Sequence, residues 1–232
     1  MLIVVERLTL TVLVDNEPNH GLKNTWGWSV LLESERWRIL FDADSDPSVL
    51  KYNVEKLKID LSLLDMAFLS HYHGDHYGGF QYVGRVKPNL KVYVPPGDSS
   101  FLEDWNLTPI ILDRSMKLND DLCVSGPMGF IGEQALGVRV LGLGLIVIVG
   151  CSHPGVDTLT ERLKQICDLD VHLVIGGYHS PSRRSLDALA HMAEHISPAH
   201  CSGSHAKEYV KKHYPEKYYP VRTGMKMTLK AS

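Results

Sequence analysis

Met66-Ala67-Phe68-Leu69-Ser70-His71-Tyr72-His73-Gly74-Asp75-His76-Tyr77-Gly78-Gly79 is the stretch that decides the fold. Its apolar opening, Met66–Leu69, reads as a short buried strand that runs straight into the pattern H-x-H-x-D-H. In an extended segment residues i and i+2 point the same way, so His71 and His73 can share one metal ion. Gly74 is expected to let the chain turn and a helix to start near Asp75, so that Asp75 and His76 face a second position close by. Three imidazoles and a carboxylate within six residues suit zinc, iron or manganese, and without thiolates in the loop ligand softness does not choose among them.

Outward from this loop the chain alternates between strand and helix patterns. Towards the amino terminus, residues 2–14 read as a strand, and Trp28–Glu33 with Trp37–Phe41 as a hairpin around Ser34 and Glu35. Pro47–Lys58 carries Val49, Leu50, Val54 and Leu57 at helical spacing, with Pro47 suited to the first turn. Lys91–Val94 is a further strand. In the second half Gln134–Val140, Leu145–Val149 and Val171–Ile175 read as strands. Thr158–Leu169, Ser185–Ile196 and His205–Tyr214 read as helices, and Val221–Leu229 as a last strand. His191 and His195 are expected on one helix face, as ordinary surface residues. Three apolar strands end in polar turns that hold histidines: His71/His73/His76, His153 and His179. Sites in α/β folds gather at such strand ends.

The whole chain has 232 residues, 24 Lys+Arg against 27 Asp+Glu, 44% apolar and 22% charged residues. That is an ordinary globular composition, and a single domain over residues 1–232 is expected. The formal charge of −3 gives no electrostatic footprint for nucleic acid or an anionic membrane. The 12 histidines call for a metal or acid–base role. Glu6 and Arg7 interrupt the apolar opening, so neither a signal peptide nor a membrane span is expected. Cys123, Cys151, Cys167 and Cys201 form no C-x-x-C pair, which leads to an expectation of four reduced thiols and a cytoplasmic location.

With these motifs in place, the chain resembles the metallo-β-lactamase superfamily. The resemblance implies an α+β fold: an αβ/βα four-layer sandwich of two mixed β-sheets with helices outside. Phe41-Asp42 fits the family's early Asp, the H-x-H-x-D-H loop its second motif, Gly150-Cys151-Ser152-His153-Pro154-Gly155 its third, and Ser197-Pro198-Ala199-His200 its last. GCSHPGV, GGYHS and SPAHCSG further resemble the branch labelled 7,8-dihydropterin-6-methyl-4-(β-D-ribofuranosyl)aminobenzene-5′-phosphate synthase. Carried over residue by residue, His71, His73 and His153 would bind one ion and Asp75, His76 and His200 a second. Asp42 would orient a ligand or a water from behind. One motif departs: where the family usually has a metal-bridging Asp, this chain has Gly177, then Tyr178 and His179. His179 is expected to point to the same side as Gly177 and to cover the space of the missing carboxylate.

The implied activity is hydrolysis by a metal-activated water. Asp75 and His179 are the expected catalytic groups: Asp75 would ligate metal and orient or deprotonate the water, and His179 or Tyr178 would contact substrate and stabilise charge or the leaving group. The cofactor is one or two divalent ions (Zn, Mn, Fe or Mg). The partner is a small-molecule substrate, preferably a phosphorylated or cyclic-phosphate compound; no nucleic acid or membrane is expected, and homo-oligomerisation is open. The alternatives are a lactone or thioester hydrolase of the same fold, and a non-catalytic metal-binding module.

Overall fold

A computed structural model of the protein describes residues 4–231, so the start of the expected strand over residues 2–14 lies outside the described residues. The chain forms two compact units. The amino-terminal unit comprises Leu8–Asp113 and Arg222–Thr228, and the carboxy-terminal unit is built chiefly from Arg114–Val221.

In the amino-terminal unit, β1 (Arg7–Val14), β2 (Ser29–Ser34), β3 (Arg38–Phe41), β4 (Met66–Phe68), β5 (Lys91–Val94), β6 (Thr108–Ile111) and β13 (Lys226–Lys230) form one sheet in the order β13-β1-β2-β3-β4-β5-β6. Strands β1 to β3 pair antiparallel, and β3 to β6 parallel. Helix α1 (Pro47–Lys56) starts where the Asp46 carboxylate accepts the Ser48 N–H, with Pro47 in the first turn, an N-cap arrangement that satisfies one unbonded helical donor. Val49, Leu50 and Val54 of α1 are buried with Phe80 and Val83 of α3 (Phe80–Val86) against Leu13, Leu31, Leu40 and Val92 of the sheet.

The carboxy-terminal unit carries a second mixed sheet, in the order β12-β11-β10-β9-β8-β7. Its strands are β7 (Met116–Lys117), β8 (Leu122–Val124), β9 (Leu136–Val140), β10 (Gly144–Val149), β11 (Val171–Gly177) and β12 (Ala193–Ala199). β10, β11 and β12 pair parallel, and β7 to β10 antiparallel. Leu159 and Leu163 of α5 (Val156–Cys167), Leu186 and Leu189 of α6 (Arg183–Met192) and Ala206 and Val210 of α7 (Gly203–His213) pack with Val147, Val149 and Val174 of the strands in one core. Two mixed sheets, each with its helices, are the fold the motifs implied.

Three expectations are corrected. The helix expected to reach Ile196 ends at Met192, and residues 193–199 form β12, paired parallel with β11. No loop separates helix from strand, so a helical apolar stripe runs into a buried strand without punctuation; His195 therefore lies on β12 and not on a helix face. Cys123 and Cys167 are joined in a disulfide across 44 residues, where reduced thiols were expected. The fold carries the end of α5 to β8, a meeting that linear spacing does not encode, and the cytoplasmic expectation loses the support it drew from four thiols. Gly74 does not need to be glycine: a Cβ there would meet nothing within 4 Å. The glycines the turn requires are the following pair, since a Cβ on Gly79 would lie 1.9 Å from the Ala43 carbonyl oxygen and one on Gly78 2.0 Å from that of Ser45.

Candidate metal centre

In the amino-terminal unit the site grows from the ends of β3 and β4. Phe41 leads into Asp42, whose backbone takes a left-handed φ of 51°, a conformation Asp tolerates better than most residues. The turn aims the buried Asp42 carboxylate at the chain leaving β4. Its Oδ1 accepts the Ser70 N–H at 2.7 Å, and its Oδ2 accepts the Ser70 hydroxyl at 2.7 Å and meets His76 Nδ1 at 2.6 Å. Ser70 Oγ in turn lies 2.9 Å from His71 Nδ1.

These contacts decide the protonation of two imidazoles. Ser70 has a single hydroxyl proton and gives it to Asp42, so at His71 it accepts: His71 Nδ1 is the protonated nitrogen and Nε2 carries the lone pair. An ionised Asp42 only accepts, so His76 likewise donates from Nδ1 and carries its lone pair on Nε2. A carboxylate behind an imidazole is the arrangement that holds a metal-binding histidine in one tautomer and orientation.

The remaining candidate ligands of this half follow. The His71 ring centroid lies 4.5 Å from that of His73 and 4.3 Å from that of His76. His76 Nε2 is 3.8 Å from Asp75 Oδ2, a separation that two atoms on one ion can have. Helix α2 (Gly74–Tyr77) places Asp75 and His76, and its backbone is tied to the β2 and β3 ends by Trp28 N–H to Asp75 O and Ala43 N–H to His76 O. This donor set fits a divalent ion.

In the carboxy-terminal unit His153, His179 and His200 leave the ends of β10, β11 and β12. The buried Glu133 carboxylate accepts the backbone N–H groups of Cys151, Ser152 and His153 at 2.8, 2.7 and 2.7 Å, which shapes the turn that presents His153. The Ser152 hydroxyl donates to Gly177 O at 2.7 Å, joining the ends of β10 and β11. The His153 and His179 rings lie 4.1 Å apart.

The segment after Gly177 does not stay extended. His179 and Ser180 take φ values of 48° and 51°, and the turn docks by His179 N–H on Cys201 Sγ (3.3 Å) and Ser180 N–H on Cys201 O (3.1 Å). His179 therefore does not fill the space beside Gly177. A Cβ on Gly177 would lie 2.5 Å from Gly150 O and 2.7 Å from Cys201 Sγ: backbone and a thiol already occupy it. Tyr178 is corrected as well. Its ring is buried in the core of this unit and its hydroxyl donates to Val174 O at 2.8 Å, with burial pushing its pKa far up, so it packs instead of contacting substrate.

Ser70, Glu133, Cys151 and Cys201 were missed in the sequence. Ser70 and both cysteines sit beside expected ligands, which was the signal available; Glu133 carries none, because its three bonds reach residues 18 to 20 positions away.

Residues 27–150 match the metallo-beta-lactamase superfamily, just over half of the chain, and the protein belongs to that family. An uncharacterized protein of Methanocaldococcus jannaschii is 26% identical over 235 residues, spanning 84% of this chain and 90% of its own length. The 7,8-dihydropterin-6-methyl-4-(beta-D-ribofuranosyl)-aminobenzene-5'-phosphate synthase of the same organism is 24% identical over 237 residues, spanning 76% of this chain and 81% of its own. A solved metal-dependent hydrolase of the beta-lactamase superfamily superposes with a TM-score of 0.83 at 24% identity, covering 96% of this chain and 99% of that one. This likeness shows the shared fold. The superfamily is usually hydrolytic and metal-dependent, and the fold implies divalent-metal binding. No helix among the described residues is long and apolar enough to cross a membrane.

Proposed function

We propose that the protein is a metal-dependent hydrolase acting on a phosphorylated or cyclic-phosphate small molecule. The observation that carries this reading is the Asp42–Ser70 network, which sets His71 and His76 in the tautomer that binds a metal. By analogy with the family's motif order, His71, His73 and His153 would hold one ion and Asp75, His76 and His200 the other. A divalent ion held there (zinc, manganese, iron or magnesium) would supply an acidified water and polarisation of the bond to be broken.

The chain's own groups supply the rest. Asp75 orients the attacking water and takes its proton. His179, exposed at the end of β11 and beside His153, stabilises charge on the departing oxygen through an imidazole N–H hydrogen bond. Asp42 and Glu133 touch no substrate; they keep the imidazoles and the His153 turn in place. The name of the synthase relative supports a phosphate ester as substrate class.

A panel of phosphomonoesters, phosphodiesters, cyclic phosphates, lactones and thioesters, each with and without added ion, tests the reading. The expected result is ion-dependent turnover confined to phosphate esters. His73→Ala should lower that turnover at least 100-fold, because one ion loses one of its imidazoles. Turnover of lactones or thioesters alone would contradict the substrate class. A cytoplasmic location belongs to the same proposal and requires the Cys123–Cys167 bond to persist there; thiol labelling in freshly lysed cells checks it.

A further inference from the structure

Beyond the histidine and carboxylate ligands stands a group drawn from the carboxy-terminal unit alone. Cys151, His179 and Cys201 each offer one ligand atom, and these atoms lie within 4.8 Å of one another. The two cysteines are buried, His179 is exposed, and the sulfurs are 3.3 Å apart, well beyond the ~2.05 Å of a disulfide bond. They belong to turns that also carry His153 and His200.

We propose that Cys201, with Cys151 and His179, supplies a thiolate–imidazole ligand set in place of the carboxylate that Gly177 lacks. This rests on the metal-dependent reading above and adds the choice of ion. Three observations support it. The volume into which a side chain at Gly177 would project holds the Cys201 sulfur, 2.7 Å from the position of that Cβ. The sulfur is held in place by the His179 N–H at 3.3 Å and sits against Cys151 O at 3.7 Å and Cys151 Sγ at 3.3 Å. The turns that bring the group together keep four non-glycine residues, Ser152, His179, Ser180 and His200, at φ values of 64°, 48°, 51° and 45°. Such left-handed positions persist where the surrounding structure enforces them, often at functional sites.

The chemistry follows from charge and softness. A neutral imidazole cannot offset the repulsion between two cations, whereas a thiolate brings a negative charge, as the family's carboxylate does. Thiolate donors favour zinc and other thiophilic ions over magnesium and manganese. The set would thus make zinc or ferrous iron, rather than the hard ions, the resident metal.

The test uses the full chain with its Cys123–Cys167 bond intact, stripped of metal and titrated with Co²⁺, with absorbance and bound cobalt measured on the same samples. A near-ultraviolet thiolate-to-cobalt charge-transfer band should grow in as cobalt binds. It should fall by about half in Cys151→Ser or Cys201→Ser, vanish in the double variant, and move in wavelength in His179→Ala. The wild-type spectrum alone is decisive if the serine variants fold poorly. Cobalt bound without the band would overturn the thiolate set and leave the hydrolase reading standing. No cobalt bound at all would overturn both. An unmoved band in His179→Ala would remove that residue from the set.

Discussion

Asp42 holds two histidines with one carboxylate, directly at His76 and through Ser70 at His71. An Asn at this position would tolerate the left-handed backbone and could keep the Ser70 N–H bond. Its amide NH₂ would then stand in place of Oδ2 and face both the Ser70 hydroxyl and His76 Nδ1–H, where an acceptor is needed. Asp42→Asn should therefore weaken metal binding by about 10- to 100-fold while the chain stays folded; competition against a chelator measures it, and unchanged affinity would remove Asp42 from the orienting role. The candidate ligand loop and the place of Asp42 beside it were legible because the pattern is local: two histidines one residue apart after a strand, and an acid at a strand end. Cys201 was not. Its partners Cys151 and His179 lie 50 and 22 residues away, and only the parallel order of β10, β11 and β12 brings these turns together.

Elements present these residues, and their ends are held by buried polar groups. Glu133 carries three backbone N–H bonds of the turn after β10. In Glu133→Gln the amide oxygen can keep the two bonds at one position but sets an NH₂ against the third donor. The expected cost is about 1–3 kcal/mol in chemical denaturation, with a loss of metal affinity through the displaced His153; a variant as stable as the parent would contradict the clamp. Gly177 answers to packing. Restoring the family's carboxylate with Gly177→Asp should destabilise by about 1–3 kcal/mol through overpacking against Gly150 O and Cys201 Sγ, and thermal denaturation would show it. Most strands and helices were legible from apolar period and turn residues. β12 was not, because α6 passes into it with no break in the apolar pattern.

For the whole molecule, a single cooperative domain over residues 1–232 is our expectation, since the chain leaves the amino-terminal unit after Asp113 and returns to it at Arg222. The Cys123–Cys167 bond probes this, as both cysteines belong to the carboxy-terminal unit. Closing a 44-residue separation stabilises by about 4 kcal/mol in the chain-entropy account, or roughly 10 °C in melting temperature for a chain of this size. Cys123→Ser should move one sharp calorimetric transition down by that amount. Two transitions, only one of them shifted, would mean that the units unfold separately.

Reconstitution decides whether this chain is a metal-dependent hydrolase. The full-length protein, stripped by chelation, is reloaded with zinc, manganese or iron in sub-stoichiometric steps, and phosphate-ester turnover is plotted against bound ion measured by elemental analysis. The stripped protein should show no turnover, and the rate should rise with bound metal and saturate at one or two ions per chain. Full metal occupancy without turnover of any ester would contradict the hydrolase reading and leave a metal-binding module without catalysis.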